Sequence, residues 1–338
     1  MSSDRRGRVL LVGQGPTSAT ALRSLTATHE VVGLVRKAPA GDAALAEAVR
    51  AGVPVHEAAT VRRVRALVHE LQPECVVVSS YDRVLPEDLL DQCRFVNVHY
   101  SPLPRYRGRA NVIWAVINGE PEAAISVHEM VPGLDAGRIL YQERVPIGPR
   151  TTTSRLYGQL NALQERELGP AVSRFLAGHR GVPQDETQAT YGCTRVPDDG
   201  ELDWSAPTAV LDRLVRGLTA PAPGAFTFLG LQRLWVDEAE PAPEAARYEG
   251  RVPGRVVRVC PAGGWVDVLT GDGVLRLHRV RLAAGARVPA ADVLRSVRAT
   301  LGLRSTDLVR ELTQLRAQLA SGVQDTVASP SDSEGNSL

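Results

Sequence analysis

The stretch that decides the reading is Arg94-Phe95-Val96-Asn97-Val98-His99-Tyr100-Ser101-Pro102-Leu103-Pro104-Arg105-Tyr106-Arg107-Gly108. Its first six residues have the apolar character of a buried strand. Asn97 and His99 are two residues apart and therefore share one face of that strand. The chain then breaks into a loop with two prolines and two arginines. In an open parallel sheet, ligands sit beyond the carboxyl ends of strands, so the amide and imidazole point toward such a crevice. The structural alternative is a buried pair satisfied by neighbouring backbone. On these two residues alone the readings stand level.

Working outward, apolar strands are expected at 8–13, 30–35, 53–55 and 75–79, separated by amphipathic helices at 18–26, 41–51, 61–71 and 86–92. That alternation predicts an α/β fold with a doubly wound, open, mostly parallel sheet. Beyond Gly108 a helix is expected at 110–118, a strand at 124–130 and a long helix at 153–178, with Leu156, Leu160 and Leu163 on one face. A connector spans 181–200. The character then changes: a helix at 208–218 is followed by short strands at 225–228, 233–236, 254–259, 264–268 and 273–277, punctuated by Gly and Pro. These read as a smaller barrel or sandwich. The expected division is 1–200, connector included, then 201–303, then 304–338. The last part comprises a helix at 307–319 and a polar, Ser-rich stretch, 321–338, read as disordered.

The totals exclude several classes. The 338 residues are 43% hydrophobic with a net charge of +1, which demands neither a nucleic acid nor a membrane as partner. The basic residues are almost all arginine, Lys37 being the single lysine, so no lysine beyond it can serve as a Schiff-base or general-base group. Cys75, Cys93, Cys193 and Cys260 are far apart and form no Cys-x-x-Cys, which argues against structural zinc and a disulfide framework. Residues 1–8 are short and polar, and no apolar run reaches membrane-spanning length. A reduced, cytoplasmic protein is expected.

Gly13-Gln14-Gly15-Pro16-Thr17-Ser18 follows the first strand. It lacks the third glycine of the dinucleotide fingerprint, and Pro16 removes an N–H that would face a phosphate. Arg36 and Lys37 stand where an acidic residue is expected. A basic pair could hold a 2′-phosphate, but a tight structural turn is the better reading. A second polar feature is Val131-Pro132-Gly133-Leu134-Asp135-Ala136-Gly137. A lone Asp in such a turn usually caps backbone groups. Asn, His and Asp together can instead supply an amide donor, an imidazolium and its counter-charge, as acyl transfer requires.

The segment FVNVHYSPLPRYRGRANVIWAVINGEPEAAISVHEMVPGLDAGRIL closely resembles the formyltransferase family that uses N10-formyltetrahydrofolate. The shared pattern is Asn-x-His, a Ser-x-Leu-Pro-x-x-Arg-Gly loop and an Asp-x-Gly turn, here Asn97, His99, Ser101, Leu103, Pro104, Arg107, Gly108, Asp135 and Gly137. YDRVLP, residues 81–86, resembles the family's folate-facing loop. GELDWSAPTAVLDRLVRGLTAPAPGAF and GDGVLRLHRV resemble the C-terminal domain shared by methionyl-tRNA and sugar-amine formyltransferases, so the likeness covers about 8–302. It implies a Rossmann-like catalytic domain and an OB-like second domain.

The resemblance further implies catalysis by Asn97, His99 and Asp135, without a metal. Folate binding would fall to Tyr81, Arg83, Val84, Leu85, Leu134 and Gly137. A substrate loop would comprise Ser101, Leu103, Pro104, Arg107, Gly108 and Trp114. The family usually has Pro where this chain has Asn111. Low net charge, Trp114 and TYGCTRVPDDGELDW (190–204) favour a small amine acceptor, a nucleotide-linked amino sugar or a natural-product amine. Methionyl-tRNA is the alternative, and a non-catalytic folate- or nucleic-acid-binding protein is the alternative of another class. A homodimer is left open.

Overall fold

The structure is a computed structural model that describes residues 6–37, 41–57, 60–282 and 285–327, with side chains to residue 319 in the last segment. Backbone contacts divide the chain into two units, residues 1–199 with 216–223, and residues 200–215 with 224–338.

In the first unit, β1 (Arg8–Gly13), α1 (Gly15–Thr28), β2 (Glu30–Arg36), α2 (Ala43–Ala51), β3 (Val55–Glu57), α3 (Val61–Leu71), β4 (Cys75–Ser79), α4 (Glu87–Leu90) and β5 (Arg94–His99) follow in order. Then come β6 (Arg107–Gly108), α5 (Asn111–Asn118), β7 (Glu122–Glu129), β8 (Ile139–Pro146), α6 (Thr153–Leu176) and β9 (Tyr191–Gly192). Seven strands form one sheet in the order β3-β2-β1-β4-β5-β7-β8. The pairings from β3 to β5 are parallel, while β7 and β8 join antiparallel. The sheet is therefore Rossmann-like and mostly parallel, as the alternation predicts.

Strand alternation builds a core on each face. Val9 and Leu11 pack in one cluster with α1 and α6, whereas Leu10 and Val12 pack in the other with α3. On β5, Val96 and Val98 fill the first cluster and Phe95 the second. Asn97 and His99 continue the Phe95 face, so they interrupt an apolar row at the strand's carboxyl end.

Strand β8 was not anticipated. It is an edge strand with one buried apolar residue, Leu140, and so lacks the apolar run that betrays interior strands. Its partner β7 supplies the buried row.

The second unit contains α7 (Thr208–Gly217, whose last two residues belong to the first unit), β10 (Ala225–Leu229), β11 (Gln232–Pro241), β12 (Val256–Cys260), β13 (Trp265–Leu269), β14 (Val274–Leu282), β15 (Val288–Pro289), α8 (Ala290–Val293) and α9 (Ser305–Val327). The strands run antiparallel in the order β10-β11-β14-β13-β12, with β15 on β14. Leu301 bridges Leu229 at the end of β10, and Thr300 bridges Arg255 beside β12. One short segment thus pairs with both edges of the sheet and closes it barrel-fashion, which removes exposed edges. Helix α9 continues to Val327, into the stretch read as disordered; residues 328–338 lie outside the described residues. No helix among the described residues is long and apolar enough to cross a membrane.

Candidate active site

Asn97 and His99 reach the site because β5 ends there, and β7 adds to them. Its antiparallel register sets His128 opposite Asn97 and Ser126 opposite His99. The turn between β7 and β8 then delivers Asp135, in a left-handed conformation with φ of 49°. Two anchors fix that turn. Gly137 lies so close to the Glu129 carbonyl that a Cβ would stand 1.8 Å from it, so no side chain fits. Gln184 Nε2 donates to the Asp135 and Gly137 carbonyls, both at 2.7 Å.

The polar groups converge. Asn97 Nδ2 donates to Asp135 Oδ1 at 3.3 Å and lies 3.1 Å from His128 Nε2. His128 Nδ1 lies 2.8 Å from the Glu129 carbonyl, which can only accept. His128 therefore carries its proton on Nδ1 and takes Asn97's hydrogen bond at Nε2. The Gly108 N–H donates to Asp135 Oδ2 at 2.8 Å. Asp135 Oδ2 is also 3.5 Å from His99 Nδ1, too long for a closed hydrogen bond. His99 Nε2 has two neighbours, the Tyr106 carbonyl at 2.8 Å and Asn111 Nδ2 at 2.9 Å.

Electrostatics sort these groups into roles. Burial pulls the His99 pKa below its ordinary 6.5, against the opposing pull of Asp135 and the Tyr106 carbonyl, so the ring is neutral near pH 7. Burial alone would raise Asp135. The imidazoles of His99 and His128 beside it and the Gly108 N–H outweigh it and hold the carboxyl well below the usual range. The site thus pairs a neutral imidazole with an ionised carboxylate poised to receive its charge.

Beside them opens a cavity of about 590 Å³, within the range of small-molecule sites. Asn97, His99, Gly108, Asn111, His128 and Asp135 form its polar end. Tyr81, Arg83, Val84, Leu85 and Leu134 line it too, with Leu90, Met130 and Val131. Val84 and Leu134 are exposed apolar residues, and the buried Tyr81 hydroxyl has no partner. An apolar wall with unspent polar groups suits a flat heteroaromatic ligand.

The other sequence-derived candidates sit elsewhere. Ser101 is buried and donates to the Arg105 carbonyl, and Leu103 is buried. The Pro104 carbonyl accepts from Thr190 N. Arg107 is buried, forks onto Glu186 at 2.7 and 2.8 Å and holds Gln184 at 2.8 Å. It thereby supports the Asp135 turn through Gln184. Trp114 donates to the Cys193 carbonyl at 2.7 Å beneath Arg195. None of these five lines the cavity, and neither does Gly137. His128 was not singled out from the sequence. The signal was available in the alternation of Ser126 and His128 on a strand neighbouring Asn97 and His99.

The Gly13–Ser18 turn is structural. A Cβ on Gly13 would lie 1.7 Å from the Ser79 carbonyl. Arg36, fully buried, pairs with Asp42 at 2.8 Å and Glu57 at 3.4 Å, and Asp42 accepts from Gly15 N at 2.6 Å. Lys37 pairs with Asp82. The basic pair is spent within the protein, not left for a phosphate.

Two family models match this chain, Formyl transferase over residues 9–172 and Formyl transferase, C-terminal domain, over residues 196–298. The methionyl-tRNA formyltransferase of Thiobacillus denitrificans is 34% identical over 313 residues, covering 88% of this chain and 99% of that protein. That of Gluconobacter oxydans is 34% identical over 318 residues with the same coverage. Among solved structures, HypX from Aquifex aeolicus in complex with tetrahydrofolic acid superposes with a TM-score of 0.62 at 18% identity, over 87% of this chain and 48% of HypX. The chain thus spans about half the length of HypX. The N-formyltransferase from Helicobacter canadensis, in complex with folinic acid and dTDP-3-aminofucose, gives 0.61 at 14% identity over 80% of this chain and 98% of that one. At such identities these likenesses bear on the fold alone.

Proposed function

The chain belongs to the formyl transferase family, and we propose that it moves the formyl group of N10-formyltetrahydrofolate onto the amino group of methionyl-tRNA. The transfer chemistry rests on one observation: Asn97, His99 and Asp135, from β5 and a distant turn, meet at the polar end of one cavity. The donor supplies an activated formyl carbonyl. Asn97 Nδ2 donates to the carbonyl oxygen as charge develops there, giving up its contact with His128. Such a donor is worth about 3–4 kcal/mol. The Nδ1–H that neutral His99 turns to the site supports the same oxygen; Asp135, already ionised, takes the proton that the attacking amine loses and returns it to N10 as the carbon–N10 bond breaks and tetrahydrofolate leaves. The folate would lie along Tyr81, Arg83, Val84, Leu85 and Leu134.

The acceptor is argued from relatives. Those named methionyl-tRNA formyltransferases share 34% of their residues with this chain over 99% of their own lengths, which promotes the acceptor ranked second from sequence. A small amine, either a nucleotide-linked amino sugar or a natural-product amine, stays as a second reading because the net charge is only +1. The salt dependence of KM separates them. A tRNA held through about six phosphates should lose roughly 10³-fold in affinity between 50 and 200 mM salt; a nucleotide-sugar with one diphosphate should lose far less. A flat slope with methionyl-tRNA, alongside faster formylation of an amino sugar, would reverse the order.

We place the reaction in the cytoplasm and include self-association in the proposal. Leu308, Leu312, Leu315 and Leu319 are exposed at heptad spacing on α9, and Glu311 and Arg316 fall where two parallel copies would pair them. Light scattering should report a dimer that Leu315→Glu converts to monomer; a monomeric wild-type chain would remove this part.

A further inference from the structure

His99 Nε2 is held between a group that can only donate and a group that can only accept. The Tyr106 carbonyl, 2.8 Å away, requires a proton on Nε2. The Asn111 amide nitrogen, 2.9 Å away, requires a lone pair there. A neutral imidazole cannot satisfy both. The Asn111 amide is oriented by a second contact: the same Nδ2 donates to the Gly108 carbonyl at 3.2 Å. Turning the amide over would set Asn111 Oδ1 against that carbonyl. As it stands, Oδ1 is buried without a partner against Gly192. The side chain thus leaves an acceptor unpaired while its nitrogen faces His99.

We propose that Asn111 is a positioning residue that fixes the tautomer of neutral His99, donating to Nε2 and so directing the ring proton to Nδ1. From Nδ1 the proton faces Asp135 Oδ2 across 3.5 Å and the cavity beyond. An uncharged histidine then presents a hydrogen-bond donor at the transfer site. Without Asn111, the Tyr106 carbonyl would claim the proton for Nε2 and leave a lone pair facing the Asp135 carboxylate. That arrangement is repulsive and is relieved by taking up a second proton.

The charged and titratable groups around the ring come from several elements. Asp135 comes from the β7–β8 turn, and His128 from β7 has its ring centroid 6.2 Å from that of His99. Tyr81, Asp82, Arg83 and Arg109 border the same cavity. Asp82 is engaged by Lys37, and Arg109 donates to the Asp82 carbonyl. None of these touches Nε2, so its occupancy is decided by Tyr106 and Asn111. The sign follows: a donor to the lone pair stabilises the neutral ring, and its removal must raise the proton affinity of His99.

The value of the tautomer for turnover rests on the formyl-transfer reading, but the tautomer itself does not, and it can be read without turnover. The full chain labelled with [15N]histidine, His99 being identified by its loss in His99→Gln, should show Nδ1 protonated and Nε2 bare above pH 7. In Asn111→Ala and Asn111→Pro the proton should move to Nε2, and the His99 titration midpoint should rise by about one pH unit, the scale of one lost hydrogen bond. Proline is compatible with the first position of α5, so it tests the effect independently of the alanine cavity. The acid limb of kcat against pH should rise by the same amount in both variants. A merely structural Asn111 would lower activity without moving the midpoint. Wild-type protein protonated at Nε2, or variants that keep both tautomer and midpoint, would overturn the proposal.

Discussion

The carboxyl ends of β1 and β5 belong to the same sheet, with β4 between them, and each carries polar residues where ligands are expected, yet they differ in kind. Around β1 the charges are consumed, Arg36 arriving from the end of the adjacent β2. Arg36 is buried against Asp42 and Glu57, and Asp42 caps α2 and also accepts from Gly15 N. Gln14 Oε1 and Ser79 Oγ stay buried without partners, but neither borders the cavity, and of residues 13–18 only Thr17 does. At β5 the charges are poised. Asp135 is ionised at 3.5 Å from a neutral imidazole, and Asn97 spends its protons on contacts of 3.1 and 3.3 Å that a stronger acceptor can replace. Polarity at a strand end marks a site only where hydrogen-bonding capacity remains open to a cavity.

Substitutions at the two ends should separate function from stability. At β5, His99→Asn should lower kcat by about 10²–10⁴-fold with the fold intact by circular dichroism; turnover near wild type would make the two ends alike. Asp135→Asn should cost about 10²-fold in kcat, because it removes the carboxylate that holds the His99 N–H and takes the amine's proton, and a purely structural Asp135 would instead lower the melting temperature alone. The pH profile of kcat/KM should fall on the acid side with a midpoint below 6.5, because burial depresses His99 and activity requires it neutral. A midpoint above 6.5 would mean that Asp135 outweighs burial. At β1, Arg36→Met should leave kcat unchanged while destabilising the fold by about 3–5 kcal/mol, since Asp42 keeps an unpaired buried charge. A kcat effect without a stability loss would make β1 part of the site.

Much of this was legible in sequence because alternation speaks locally. The strands β1, β2, β4 and β5 announce themselves as apolar runs, and Asn97 and His99 are conspicuous for interrupting one. Strand β8 was silent because an edge strand buries little. His128 was missed because its meaning depends on register: within SVHE it is one more polar residue, and only pairing with Asn97 across β5 and β7 gives it a role. Arg107 shows the reverse case. The loop motif drew attention to it, yet its guanidinium turns inward to Glu186 and Gln184, a partnership with a segment nearly eighty residues away that no local pattern encodes. The dual demand on His99 Nε2 is likewise a property of distance.

The central claim is that the β5 end transfers a formyl group to an amine. It is tested most directly by single-turnover transfer of labelled formyl from N10-formyltetrahydrofolate, with wild-type protein and His99→Asn compared on methionyl-tRNA and on a panel of amino sugars. Labelled formyl-methionyl-tRNA is expected from the wild type, with a loss of at least about a hundredfold in rate for the variant. Equal rates for the two proteins, or no labelled product on any acceptor while the folate binds, would contradict it.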